Sequence, residues 1–292
     1  MTDQAHTLRV IRGGRATQSS RDSQTPATTR RAIAVSGGKG GIGKTTIALN
    51  LAIAYAELGN RTLLVDTDLG MADLNLLLGV APERSLLDAL GGVPIEDILV
   101  AAHGLQLLPA LNGSYALSTI GGPAQRRILE LVASLADRFD SLVIDVAAGI
   151  GQMQTTFASS TADAIVVVNP EPLSMADAYA CLKVLSLEQD VKHAFIVPNR
   201  VHSRSQADEL TARLQTLVHR FLDIDLTPLP AIPVDPAVAE AAQIGVPLLV
   251  HMPDAPAARA IRQLTRSLAT FAPTATRSEW WRATPRAQGD IR

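Results

Sequence analysis

The segment Gly38-Lys39-Gly40-Gly41-Ile42-Gly43-Lys44-Thr45 stands between an apolar run, Ala32–Ser36, and an amphipathic stretch that starts at Lys44. It satisfies the pattern G-x-x-x-x-G-K-[ST], which requires a parallel β-sheet strand, a tight loop and a helix in that order. Glycines let the loop curl so that its N–H groups point inward at phosphate oxygens, and the following helix adds the positive end of its dipole. Lys44 is then placed to neutralise β- and γ-phosphates, and the Thr45 hydroxyl to ligate Mg²⁺. A chance glycine-rich turn would lack that strand and helix on its two sides. A second lysine, Lys39, lies inside the loop and cannot easily reach the same phosphates that Lys44 serves.

The rest of the chain supplies the matching architecture. Candidate strands are 32–36, 62–66, 105–109, 141–146, 164–168, 194–198 and 229–232. Candidate helices are 44–58, 123–138, 152–160, 174–187, 205–221, 236–243 and 257–271. Strand and helix alternation of this kind implies right-handed β-α-β crossovers and an α/β fold, doubly wound around a mostly parallel sheet with helices on both faces. At 292 residues the chain forms one such unit. With 47% hydrophobic but only 3% aromatic content, the core must be built from Ala, Val, Leu and Ile, which suits strands covered on both faces.

Two further carboxylate positions fall at strand ends, where parallel sheets hold their ligands. Leu63-Leu64-Val65-Asp66-Thr67-Asp68 closes one apolar strand, and Leu142-Val143-Ile144-Asp145 closes another, the Walker B arrangement in which the carboxylate holds Mg²⁺ through water. A lone Asp at a strand end is also a common turn former, so the phosphate loop is what gives both a functional reading. The six histidines show no metal-like pairing.

The formal net charge of -2 argues against a protein that coats nucleic acid, so DNA is not an expected partner. Cys181 is the only cysteine, which excludes an intramolecular disulfide and any cluster needing several thiolates from one chain; a buried position on a helix face is expected for it. No apolar stretch reaches the roughly 20 residues of a membrane span, so a cytoplasmic protein is expected. Residues 1–31 are rich in Arg, Ser, Thr and Gln and read as a flexible extension, with Asp3 opposing a transit-peptide reading. Ala5, Leu8 and Ile11 recur at helical spacing there and suit a helix formed on a partner. Residues 32–271 form the expected P-loop domain. Residues 272–292, with Trp280-Trp281, read as a flexible tail.

The run Val35-Ser36-Gly37-Gly38-Lys39-Gly40-Gly41-Ile42-Gly43-Lys44-Thr45-Thr46 resembles the deviant Walker A motif of the MinD/ParA ATPases. That resemblance implies ATP and Mg²⁺ as ligands, slow hydrolysis to ADP and phosphate, and a homodimer formed around ATP with Lys39 crossing to the partner's nucleotide. It also implies that Gly38, Gly40, Gly41, Ile42, Gly43, Lys44, Thr45 and Thr46 bind the phosphates, with Thr46 at the α-phosphate, and that Asp68 orients the attacking water. Gly149 matches a switch glycine that senses the γ-phosphate, although Val146 stands where the family commonly has Thr. Asn199 matches an asparagine at the adenine edge, and Pro233 with Asp235 matches the segment that closes over the base.

Several stretches resemble the flagellar-number regulators FlhG and FleN within that family. These are Asp68–Asn75, Glu171–Ala180, Arg220–Asp223 and Ile232–Asp235, together with Asp3-Gln4-Ala5 followed at Leu8-Arg9. The last matches the segment by which those regulators stimulate the GTPase FlhF, so an FlhF-type GTPase and other flagellar or transcription-regulatory proteins are the implied partners. A ParA-type partition ATPase, a MinD-type division regulator and an interaction module with a vestigial nucleotide site are the alternatives. Ile261, Leu264, Leu268 and Phe271 form an apolar stripe near Arg259, Arg262 and Arg266. Packing on the sheet is its expected fate, with a weak peripheral contact at the inner face of the membrane as the other reading.

Overall fold

The computed structural model describes residues 31–68, 73–110, 122–135 and 138–271. Nine strands form one sheet: β1 (Arg31–Ser36), β2 (Thr62–Asp66), β3 (Val100–Ala102), β4 (Leu105–Leu108), β5 (Ser141–Asp145), β6 (Asp163–Val168), β7 (His193–Val201), β8 (Asp225–Pro228) and β9 (Ile232–Pro233). Their order is β3-β4-β2-β5-β1-β6-β7-β8, with β9 pairing the end of β7. Every pairing is parallel except β3 with β4. The doubly wound, mostly parallel sheet expected from the alternation is present.

Side-chain alternation along β1 shows why both faces are covered. Ala32 and Ala34 face one core cluster, and Ile33 and Val35 face the other. The first face is packed by α3 (Leu86–Leu90), α4 (Gly122–Leu135), α5 (Gln152–Ser159), α6 (Pro172–Leu187) and α7 (Arg204–Phe221). The second is packed by α1 (Lys44–Glu57), α8 (Pro236–Ile244), α9 (Leu248–His251) and α10 (Pro256–Thr270). A short α2 (Leu74–Leu77) contributes Leu74 to that second face.

The stripe on α10 is used inside the protein. Ile261, Leu264 and Leu268 are buried in the second core, and Phe271 makes an edge-on contact with Phe195 of β7 at 5.3 Å. Arg262 reaches Glu57 of α1 through two hydrogen bonds of 2.7 Å. Among the described residues, no helix is long and apolar enough to cross a membrane.

Four local expectations need correction. Arg31, assigned to the flexible extension, is the first residue of β1 and is buried, because Asp163 and the last carbonyls of α10 receive its guanidinium. The strand expected at 229–232 is replaced by β8 and β9 on either side of Leu229; β8 is a half-exposed edge strand, so it carries no apolar run. Strand β7 continues past 198 to Val201, which places Asn199 inside it rather than after it. Finally, β3 was not anticipated. It meets β4 through a two-residue hairpin whose central residues, His103 (φ 46°) and Gly104 (φ 82°), are both left-handed, and His at the first position hides the usual Asn-Gly signal. Segment 3–9 and the tail with Trp280-Trp281 lie outside the described residues.

Candidate nucleotide site

The loop after β1 is locked by its neighbours. A Cβ on Gly38 would stand 2.3 Å from the carbonyl oxygen of Asp177 in α6, so the loop can rest on that helix only with glycine at this position. Ile42 is buried, and Asn199 donates through Nδ2 to its carbonyl at 2.7 Å. Gly40 lies against Ala148, which brings the segment before Gly149 beside the loop. Helix α1 then starts at Lys44, with Thr45 and Thr46 in its first turn. The Thr46 carbonyl accepts from Asn50 Nδ2 at 2.8 Å, and Asn50 Oδ1 accepts from Leu249 N at 3.0 Å, tying the phosphate-loop helix to α9.

The two lysines of the loop are separated as their spacing suggests. Lys44 is buried, with Nζ donating to the Lys39 carbonyl at 3.0 Å. Burial lowers its pKa, while Asp145, Asp68 and Cys181 act in the opposite sense. The Lys39 side chain is 40% exposed, and its ammonium lies 3.3 Å from Glu171 at the start of α6. The contact of Glu171 with Lys39 spans 132 residues, and no local pattern reveals it.

Adjacent strands β2 and β5 bring the carboxylates together, since Asp66 and Asp145 are register partners. Both are buried. Desolvation pushes Asp145 up to about 7, against a hydrogen bond from Thr45 and the charge of Lys44. Asp66 is raised well above its ordinary value, first by burial and then by Asp145. The Asp68 N–H donates to Asp66 at 2.9 Å, and Thr67 Oγ1 donates to the Asp145 carbonyl at 2.7 Å, so the strand end is held rigidly next to the loop. The structure thus gathers Lys44, Thr45, Asp68 and Asp145 at one edge of the sheet, with Asp66 as a buried companion whose role the strand-end pattern did not specify.

The donor set fits a nucleotide with Mg²⁺. Asp145 Oδ1 is buried without a hydrogen-bond partner among the described residues, while the carboxylate also takes the Thr45 hydroxyl. An acceptor left open beside a hydroxyl suits a hard cation that prefers oxygen ligands and keeps its waters.

Comparison with known proteins decides the family. Residues 28–269 match the ParA family model, described as NUBPL iron-transfer P-loop NTPase. The chain belongs to the ParA/MinD family of P-loop ATPases. The antiactivator FleN of Pseudomonas aeruginosa is 37% identical over 213 residues, covering 72% of this chain and 76% of FleN. The septum site-determining protein MinD of Bacillus subtilis is 32% identical over 240 residues, covering 81% of this chain and 88% of MinD. The septum site-determining MinD of Pyrococcus horikoshii, solved with Mg-ADP, aligns with a TM-score of 0.71 at 28% identity, covering 85% of this chain and 99% of that one. As a member of this family the chain is an ATPase whose ligands are ATP and Mg²⁺. An iron–sulfur cluster held by several thiolates of one chain is excluded, since Cys181 is the sole cysteine and lies buried, 3.9 Å from Ser36 Oγ.

The remaining matched positions are dispersed by function. Gly149 has φ 114°, and Val146 is buried with its N–H on the Val35 carbonyl at 3.0 Å, so that side chain serves the core. Asp235 caps α8 through Ala237 N at 3.0 Å and reaches Ala257 N of α10 at 2.9 Å. Its carboxylate is thereby committed to two helix N-termini, and Pro233 stands two residues before it in β9.

Proposed function

We propose that this chain is an ATP-dependent dimerising switch that regulates flagellar number and placement, and that its N-terminal segment stimulates an FlhF-type GTPase. The observation that carries the reading is the separation of the two loop lysines: Lys44 is buried under the loop, while Lys39 stands half-exposed at its rim, where its ion pair with Glu171 is open to solvent. The likeness to FleN supports the flagellar branch.

In this reading Gly38, Gly40, Gly41, Ile42 and Gly43 offer N–H groups to the phosphates, Lys44 neutralises the β- and γ-phosphates, and Thr46 approaches the α-phosphate. Thr45 and Asp145 hold Mg²⁺, which when bound spreads the charge of the transferring phosphoryl group. Asp68 orients water for in-line attack, and Gly149 offers its N–H to the γ-phosphate. Asn199 meets the adenine edge, and the segment from Pro233 to Asp235 closes over the base. Because the Asp235 carboxylate holds two helices, its contribution is to fix that segment in place. Lys39 reaches the partner's nucleotide, so the paired surface exists only before hydrolysis. Residues 1–30 act as the partner-binding extension of a cytoplasmic protein, and residues 272–292 make a weak, salt-sensitive contact with the inner membrane face.

A synthetic peptide of residues 1–15 tests the flagellar assignment. It should accelerate GTP hydrolysis by the cognate FlhF, with Gln4→Ala and Leu8→Ala blunting the effect; an inert peptide breaks that assignment and leaves the ATPase standing. Replacing Lys39 with Ala should weaken ATP-dependent dimerisation in sedimentation more than ATP binding in calorimetry. Equal losses would remove the crossing role. A second reading, a MinD-type division-site ATPase, is favoured by the greater share of the chain that the Bacillus subtilis protein covers. It predicts no response of FlhF.

A further inference from the structure

We infer that Asn199 is a positioning residue that holds the phosphate loop in its binding shape, independently of any contact with the base. The inference rests on the loop being the phosphate cradle. Asn199 lies 157 residues beyond Ile42 in sequence, yet its Nδ2 donates to the Ile42 carbonyl at 2.7 Å, and the side chain is buried. The next residue of the loop passes close to the same atom. A Cβ on Gly43 would stand 2.5 Å from Asn199 Nδ2, and Gly43 has φ 97°, a conformation that side chains rarely adopt.

The end of β7 is shaped to make this contact. Pairing with β9 runs from Asn199 with Ile232 to Val201 with Pro233, with a register shift between them, and Arg200 at that shift has φ 55° and is exposed. Such irregularities bend a strand and re-aim a side chain. Here that group is Arg200, while regular alternation along β7 sets Asn199 on the face of Phe195 and Val197, which Ile42 shares.

The physical consequence follows from the planarity of the peptide. The Ile42 carbonyl and the Gly43 N–H belong to one rigid unit and rotate together. In a loop that turns its N–H groups inward, the carbonyls face outward, and a buried outward carbonyl needs a donor. Asn199 supplies it. Without that donor the Ile42 carbonyl is left buried and unpaired, and Gly43, lacking a Cβ, lets the peptide rotate to find another. The rotation carries the Gly43 N–H out of the cradle. Asn199 therefore acts on the phosphates through the Ile42–Gly43 peptide, whichever base the nucleotide carries.

Mg-tripolyphosphate, which has no base or sugar, separates this role from adenine recognition. We would measure its affinity and that of Mg-ATP by calorimetry for the full chain, for Asn199→Ala, and for Asn199→Leu, which keeps the volume but removes the donor. Both variants should bind tripolyphosphate about 5- to 10-fold more weakly, the effect of losing one hydrogen bond. Thermal melting would confirm that each variant is folded. Loss of ATP affinity with unchanged tripolyphosphate affinity would overturn the inference and leave Asn199 as a reader of the base alone. Normal tripolyphosphate binding by Asn199→Leu would also overturn it, since packing and not the donor would then shape the loop. A wild-type chain that binds neither ligand would instead defeat the assignment of the cradle.

Discussion

At the N-terminal ends of β1 and β6, Arg31 is buried with Asp163 at 3.3 Å and donates to the carbonyls of Leu268 and Phe271 at 2.5 and 2.6 Å. At the C-terminal ends of β2 and β5, Asp66 and Asp145 are buried side by side, and each is pushed towards its neutral form. Both ends bury charge, but among the described residues only the first pairs its carboxylate directly with a guanidinium. The staple at Arg31 joins the first strand to the end of the last helix, so its reward is architectural. The carboxylate edge leaves acceptor capacity open for a bound cation, next to Lys44, whose ammonium can serve phosphates. Perturbed carboxylates gathered at one edge mark a functional site when a specific ligand chemistry accounts for them.

Three substitutions would break or sharpen this contrast. The largest effect is expected at the carboxylate edge. Asp68→Ala should lower the ATP hydrolysis rate at least about 100-fold, the contribution of a positioned side chain to proton transfer, while ATP binding persists. Size-exclusion chromatography should then detect an ATP-stabilised dimer. A normal turnover rate would remove Asp68 from the water-orienting role.

Next, Arg31→Met should destabilise the fold by about 3–5 kcal/mol, because it removes the guanidinium that faces the buried Asp163 carboxylate at 3.3 Å. Pairing it with Asp163→Leu should recover most of that loss in denaturant titrations. ATP affinity of the folded fraction should stay unchanged. A large affinity loss would mean that the two ends are coupled.

The smallest effect is expected for Asp66→Asn. The pKa of Asp66 is raised in the folded chain, so its carboxyl favours folding most below the unfolded value of 3.8 and loses that contribution as pH rises towards the folded pKa. The variant should therefore melt close to the wild type near pH 4 and progressively above it as pH rises from there towards the folded pKa. A variant that instead falls progressively below the wild type as pH rises would show that the hydrogen bond from the Asp68 N–H outweighs the burial of the Asp66 charge.

Periodicity and composition carried much of the site because its central parts are contiguous in sequence. The loop, its strand and its helix occupy positions 31–57, and a buried parallel strand announces itself as an apolar run that ends in a carboxylate. Positions whose meaning comes from partners far along the chain were less legible. Arg31 reads as one more arginine of a basic extension until Asp163 and α10 fold onto it. Asp235 reads as a turn residue beside a base until it is seen to cap two helices.

The sequence by itself therefore determined the layered α/β fold, the phosphate loop and the strand-end carboxylates. Each depends on local geometry: the period of a strand, the curl of glycines, and the start of a helix. Tertiary structure alone decided which groups share an edge, because strand order places β5 between β2 and β1 and so sets Asp66 against Asp145 next to Lys44. It also decided that Ile261, Leu264 and Leu268 of the α10 stripe are core, that Lys39 faces Glu171, and that Asn199 grips the loop from β7. Contacts across more than 100 residues are set by how layers stack and in what register, and those depend on the packing of the whole chain.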